Sequence, residues 1–155
     1  MSADVGTKAP DFTLPNQDKQ PVTLSTSTGK TVVLAFFPAA FTSVCQKELC
    51  HFRDQLGALN SVNATVFGIS VDTPFTLKEF ARQNSLNFDL LSDFNKETIQ
   101  RFDVVNPDMG GLKGISRRAV FVIDKSGIIR YREVTPTPGD EPQYDKVKAA
   151  VDALN

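Results

Sequence analysis

Two continuous apolar runs, Thr31 to Phe37 and Ala64 to Val71, most constrain what this chain can become. Neither alternates with polar residues, so each reads as a strand covered on both faces rather than one wetted on one side. Between them Ser43 to about Leu59 reads as a helix, and Pro74 opens a second helix to about Asn84, proline being favoured in a first turn. Phe88 to Leu91 is a short strand and Lys96 to Phe102 a short helix. Val120 to Asp124 and Ile128 to Val134, joined by Lys125-Ser126-Gly127, read as a hairpin, and Asp145 to Leu154 as a closing helix. Upstream, Asp11 to Leu14 and Val22 to Leu24 form a short strand pair around Pro15-Asn16-Gln17-Asp18. Strands alternating with helices, then a hairpin and a last helix, define an α/β class. The loop Asn106 to Ser116 holds three glycines without a phosphate-binding pattern and reads as a flexible connection.

With 155 residues, no repeat and no dividing linker, one domain spanning 1–155 is expected. A net charge of −1 argues against a nucleic-acid partner. Two cysteines are too few for a secreted disulfide framework. No apolar run reaches the length of a membrane span, so no membrane partner is expected. Met1 to Gly6 lacks the basic start and apolar centre of a signal peptide, and a cytoplasmic location is the expectation.

Chemistry concentrates where the first apolar run ends. Pro38-Ala39-Ala40-Phe41-Thr42-Ser43-Val44-Cys45 carries the chain from strand to helix and leaves Cys45 in the helix's first turn. Unpaired N–H groups and the positive end of the macrodipole favour a thiolate there. Thr42 is placed to cap that start through its side-chain oxygen, and Ser43 with Gln46 offers a capping box one residue later. At 100° per residue, Cys45, Leu49, Phe52, Leu56 and Leu59 lie within about 40° of one line, an apolar stripe for the sheet. Cys50 lies about 140° from Cys45, with Gln46, Arg53 and Gly57 on the polar side. Its two readings are a buried structural thiol and a partner for Cys45. His51 falls about 120° from Cys45 on the other flank and reads as a solvated residue. Since Cys45, Cys50 and His51 diverge, neither a Cys-His pair nor a metal site is expected. The absence of Cys-x-x-Cys argues against a disulfide reductase.

The Pro-x-x-x-Thr-x-x-Cys spacing resembles the active-site motif of peroxiredoxins, thiol peroxidases of the thioredoxin superfamily. Gly6 to Leu14 is similar to that family's N-terminal opening, and Arg118-Ala119-Val120-Phe121-Val122-Ile123-Asp124 to its Arg-x-x-Phe-x-x-Asp strand. The Cys45-x-x-x-x-Cys50 spacing resembles the peroxiredoxin Q, or bacterioferritin comigratory protein, branch. Phe41 to Leu49 and Leu90 to Phe94 resemble alkyl hydroperoxide reductase E, a one-cysteine relative.

The resemblance implies a thioredoxin fold, a central mixed sheet flanked by helices, with an N-terminal β extension. It implies a peroxidase without cofactor or metal, in which Cys45 attacks a hydroperoxide and becomes a sulfenic acid. Thr42 and the Cys45 N–H would hold the peroxide oxygens, Pro38 would shield the sulfur, and Arg118 would favour the thiolate and contact substrate. Neighbouring strand residues point to opposite faces, so only one of Arg117 and Arg118 enters the site, and the spacing to Phe121 selects Arg118. Glu48, about 60° off the Cys45 line, either pairs with Arg118 or is a surface carboxylate. Phe41 is a candidate for the apolar rim of the pocket, and Phe37 for core packing. Cys50 would resolve the sulfenic acid as an intramolecular disulfide, reduced by thioredoxin or a glutaredoxin-like protein. A monomer or weak homodimer is expected. The alternatives are a non-catalytic sensor that relays oxidation from Cys45 to a partner protein, and a thioredoxin-fold binding module. Turnover with excess thiol separates the enzyme from the sensor, which would react once and stop.

Overall fold

The structure, a computed structural model, describes residues 3–61 and 64–154, with the backbone alone over 56–61. The chain opens with β1 (Thr13–Pro15) and β2 (Pro21–Thr23), a 3-10 turn at Leu24–Ser27, then β3 (Thr31–Phe36) and α1 (Ser43–Ser61). Next come β4 (Ala64–Ser70), α2 (Pro74–Gln83), β5 (Asp89–Ser92) and α3 (Glu97–Arg101). Last are β6 (Val105–Asn106), β7 (Ile115–Ser116), β8 (Ala119–Ile123), β9 (Ile129–Val134) and α4 (Tyr144–Asp152).

The two apolar runs become the centre of a five-stranded sheet in the order β5-β4-β3-β8-β9. β3, β4 and β5 are parallel; β8 runs antiparallel to β3 and β9 antiparallel to β8, which makes the sheet mixed. Every residue of β3 and β8 is buried, because both faces of the sheet are covered. One face packs Val33, Ala35, Val120 and Val122 under α1, α2 and α4. The other packs Leu34, Phe36 and Phe121 under Phe102, Ile99 and the N-terminal segment. At Gly68 of β4 an added Cβ would lie 2.7 Å from Leu90 Cδ2 of neighbouring β5 and 3.7 Å from Leu49 Cδ1 of α1. That glycine lets the sheet accept the helices above it.

The N-terminal β extension is the antiparallel pair β1-β2. Its turn is held by Asn16, whose Oδ1 accepts from the backbone of Asp18 and Gln20. Gln17 accepts from Leu90 N at 3.0 Å and Asn16 bridges Leu91, so the hairpin covers the outer edge of β5. α2 starts as its sequence requires, with Pro74 in the first turn and Thr73 accepting from Thr76 N at 3.3 Å.

Segment boundaries differ from the sequence reading by one or two residues, as expected where ends fray. The larger difference lies at 106–116. Expected as a flexible connection, it is drawn into an antiparallel pair, with Val105 opposite Ser116 and a bridge from Met109 to Leu112. Gly110, Gly111 and Gly114 adopt positive φ there, so the glycines serve hairpin geometry instead of looseness. Among the described residues no helix is long and apolar enough to cross a membrane.

Candidate active site

β3 ends beside β4, and the chain must leave the sheet before starting α1. Phe37 still donates to Ile69 O at 2.9 Å, and its ring is buried in the core. Beyond it the loop is fastened from the next strand. Asp72 Oδ2 accepts from Ala40 N at 2.8 Å and from Ser70 Oγ at 2.7 Å, a carboxylate braced at the carboxyl end of β4. Phe41 then takes φ +67, a left-handed conformation that costs a non-glycine residue roughly 1 kcal/mol or more. Its ring is 47% exposed and meets Phe80 of α2 edge-on at 5.2 Å. This sharp step turns the chain directly into α1.

Thr42 begins that helix through its backbone: its carbonyl accepts from Gln46 N at 2.9 Å. Its hydroxyl, expected to cap the first turn as an acceptor, donates instead to Ala39 O at 2.8 Å. The loop's tight reversal brings that carbonyl within reach, and a hydroxyl that donates keeps its lone pairs for another partner. Pro38 is buried beneath the loop, and Thr42 and Ser43 are exposed above it.

Cys45 lies on the inner side of α1 with Leu49 and Phe52, all fully buried, as the angular reading placed them. Leu56 and Leu59, expected to continue that stripe, fall outside the described side chains. Arg118, immediately before β8, reaches the sulfur from the opposite element. Its Nη1 and Nη2 each donate to Cys45 Sγ at 3.3 Å. Nη1 also donates to Glu48 Oε1 at 2.8 Å, and Nη2 to Pro138 O at 2.8 Å. Arg117, beside it in the two-residue link between β7 and β8, turns the other way, donating through Nε to Val105 O at 3.1 Å.

Three polar groups thus meet inside an apolar core: Glu48 and Cys45 at 0% exposure and Arg118 at 2%. Of the two readings of Glu48, the structure has the Arg118 pair and no surface carboxylate. Burial pushes the Glu48 carboxyl up to about 7; the Arg118 charge and hydrogen bond act against that rise, while Glu133 and Glu141 add to it. For Arg118, burial works against the cation, but Glu48 and Cys45 outweigh it and hold the guanidinium above its ordinary value. Glu48 Oε2 has no hydrogen-bond partner, so this carboxylate orients the guanidinium with one oxygen only.

Cys50 sits on the other side of α1, half-buried, with its thiol 3.6 Å from Asn84 Oδ1 at the end of α2. His51 departs from its expected solvated position. Its ring stacks on Tyr144 with centroids 3.6 Å apart, because α4 returns across that flank of α1. The sequence reading missed two participants. One is Asp72, signalled by the Ser70-x-Asp72-Thr73-Pro74 run that closes a buried strand. The other is the segment after β9, where Pro136, Pro138 and Gly139 mark a turn whose carbonyl at 138 receives Arg118.

A buried cysteine at a strand-to-helix step, gripped by an arginine from a facing strand, on a thioredoxin fold, defines the class: a thiol-dependent peroxidase of the peroxiredoxin type. The chain belongs to the AhpC/TSA family, whose pattern it matches over residues 5–132. Alkyl hydroperoxide reductase E of Mycobacterium tuberculosis is 44% identical over 140 residues, covering 88% of each chain. Chloroplastic peroxiredoxin Q of Oryza sativa subsp. japonica is 39% identical over 126 residues, covering 81% of this chain and 57% of its own. Among solved structures, peroxidoxin BcpB from Mycobacterium tuberculosis superposes with a TM-score of 0.87 at 33% identity, covering 97% of both chains. A peroxiredoxin-like protein from Aquifex aeolicus gives a TM-score of 0.91 at 29% identity, over 100% of this chain and 90% of its own.

Proposed function

We propose that Cys45 is the peroxidatic nucleophile and that Arg118, Thr42, Pro38 and Glu48 form its working environment in one domain spanning the chain. The observation that carries this reading is the pair of Arg118 N–H groups aimed at Cys45 Sγ, each at 3.3 Å. Two charge-assisted donors stabilise a thiolate far better than a thiol, whose sulfur is a weak acceptor. The sulfur attacks one oxygen of a hydroperoxide; the S–O bond forms and the O–O bond breaks. The departing alkoxide or hydroxide takes a proton from solution, leaving Cys45 as a sulfenic acid and releasing an alcohol or water.

Each neighbour has a physical task in that step. The first-turn N–H groups of α1 have no carbonyl within the helix and point toward incoming oxygen. Thr42 spends its hydrogen on Ala39 O, so its oxygen is free to accept the hydroperoxide's O–H. Buried Pro38 keeps water from the sulfur, and Glu48 fixes the plane of the Arg118 guanidinium. The substrate class is hydrogen peroxide and small organic hydroperoxides.

In the second half of the cycle Cys50 resolves the sulfenic acid. Five residues apart on an intact helix, the two Cα atoms stand about 8–9 Å apart, beyond the roughly 7 Å limit for a disulfide. The first turns of α1 therefore unwind before the bond closes. Thioredoxin or a glutaredoxin-like protein then reduces it, in a cytoplasmic compartment, with the enzyme a monomer or weak homodimer. The experiment is peroxide consumption with hydrogen peroxide and a small organic hydroperoxide under excess thiol reductant. Sustained turnover is expected; a single stoichiometric burst that then stops would make the protein a sensor.

A further inference from the structure

Asn84 joins the two helices that flank Cys50. It ends α2 and is 8% exposed. Three contacts meet on this residue. Its Oδ1 faces the Cys50 thiol at 3.6 Å, its Nδ2 donates to Phe80 O at 2.9 Å, and its carbonyl accepts from Arg53 Nη1 at 2.7 Å. Phe80 O also receives the Asn84 backbone N–H at 3.2 Å, so that carbonyl keeps a donor without the amide. Arg53 binds the backbone of residue 84, a contact any side chain there retains. What the amide oxygen alone supplies is an acceptor for the Cys50 thiol.

We propose that Asn84 is a positioning residue that holds Cys50 on the outer side of α1 and thereby sets how fast the disulfide closes. This rests on the reading of Cys50 as the resolving residue. In the closing step the Cys50 thiol gives up its proton and its sulfur attacks the sulfenic sulfur of Cys45. The S–S bond forms, the S–O bond breaks, and the departing hydroxide takes up the proton as water. No further oxidant enters. Before any of this, the thiol must leave Asn84 Oδ1 and swing around the helix. Arg53, tied to residue 84 through the backbone, holds the third turn of α1 in place and confines the unwinding to the turns before it.

The amide is a neutral acceptor and retains the thiol modestly. Alanine offers nothing in its place. A carboxylate in the same position accepts more strongly, and its charge opposes the thiolate needed for attack. The two substitutions should therefore move closure in opposite directions, which general loosening of the helix pair would not do.

The test mixes wild type, Asn84→Ala and Asn84→Asp with one equivalent of hydrogen peroxide, quenches with an alkylating reagent at millisecond intervals, and reads intact mass. Sulfenic acid formation is followed in the same traces, which separates it from closure. Closure about five-fold faster in Asn84→Ala, the factor one modest hydrogen bond commands, and slower in Asn84→Asp is the expected result. The Asp variant should also accumulate more sulfinic acid under excess peroxide. Equal rates in all three proteins, or faster closure in both variants, would overturn the proposal while leaving Cys50 as resolving residue. A wild type that forms no Cys45–Cys50 disulfide at all would refute the role of Cys50, and the retaining role of Asn84 with it.

Discussion

Cys45 and Cys50 share one helix and differ in almost everything else. Cys45 is sealed in the core and faces a guanidinium that is itself braced by a buried carboxylate and a loop carbonyl. Cys50 is half-buried, and its hydrogen-bond partner is a neutral amide at the end of α2. Burial alone would make Cys45 the inert thiol of the two, since an apolar setting disfavours a thiolate. The Arg118 guanidinium, immediately before β8, sets two N–H donors 3.3 Å from the sulfur against that burial, and on the proposed reading it makes Cys45 the reactive thiol. The comparison teaches that one helix can give two thiols opposite surroundings, a cation in the core and a neutral amide nearer the surface; the proposed function has reactivity follow the partner and not the exposure.

The largest expected effect comes from removing that partner. Arg118→Met, which keeps the unbranched stem and loses the guanidinium donors, should slow peroxide reduction roughly 10²–10³-fold in stopped-flow measurements. Arg117→Met, whose side chain turns away toward Val105, should change the rate little. Comparable losses in the two variants would erase the distinction between the faces of this strand.

Next comes the brace. The Glu48 carboxyl is pushed up to about 7 by burial, above its unfolded value, so between about pH 4.5 and 7 the folded chain holds a proton that the unfolded chain releases. Stability from this group is then fully present at low pH and declines as pH rises through that window, by up to about 3 kcal/mol. Urea unfolding at pH 5, 6, 7 and 8 checks it: wild type should lose stability with rising pH relative to Glu48→Gln. A parallel pH dependence in the two proteins would show that Glu48 does not titrate in this range.

A smaller effect sharpens the outer side of α1. His51→Ala removes the stack on Tyr144 and should cost about 1 kcal/mol of stability in the same unfolding assay. An unchanged midpoint would mean that α4 does not brace that flank.

Much of this arrangement was legible in the sequence, for identifiable reasons. The all-apolar runs of β3 and β4 announced a sheet covered on both faces, and the 100° wheel put Cys45, Leu49 and Phe52 on one inner stripe. Alternation along the strand before Phe121 separated Arg118 from Arg117. Local rules failed where a partner comes from far away in the chain. His51 looked solvated because nothing near it in sequence reveals α4 crossing that flank. Local sequence makes the Thr42 hydroxyl a helix cap, because the loop reversal that offers it Ala39 O depends on Phe41 taking a positive φ. Asp72 and the 138 carbonyl escaped notice because each acts on a segment more than a dozen residues away. The glycines of 106–116 suggest slack by composition, whereas the fold uses them to supply the φ values of a hairpin.

The difference between the two cysteines is tested most directly by giving each variant one thiol. Cys50→Ser retains Cys45 alone, and Cys45→Ser retains Cys50 alone; both are mixed with hydrogen peroxide and the second-order rate of thiol loss is recorded. The account predicts that the Cys45-only protein reacts several orders of magnitude faster and carries a single sulfenic acid, while the Cys50-only protein reacts like a free thiol. Equal rates, or faster loss of the Cys50 thiol, would contradict it.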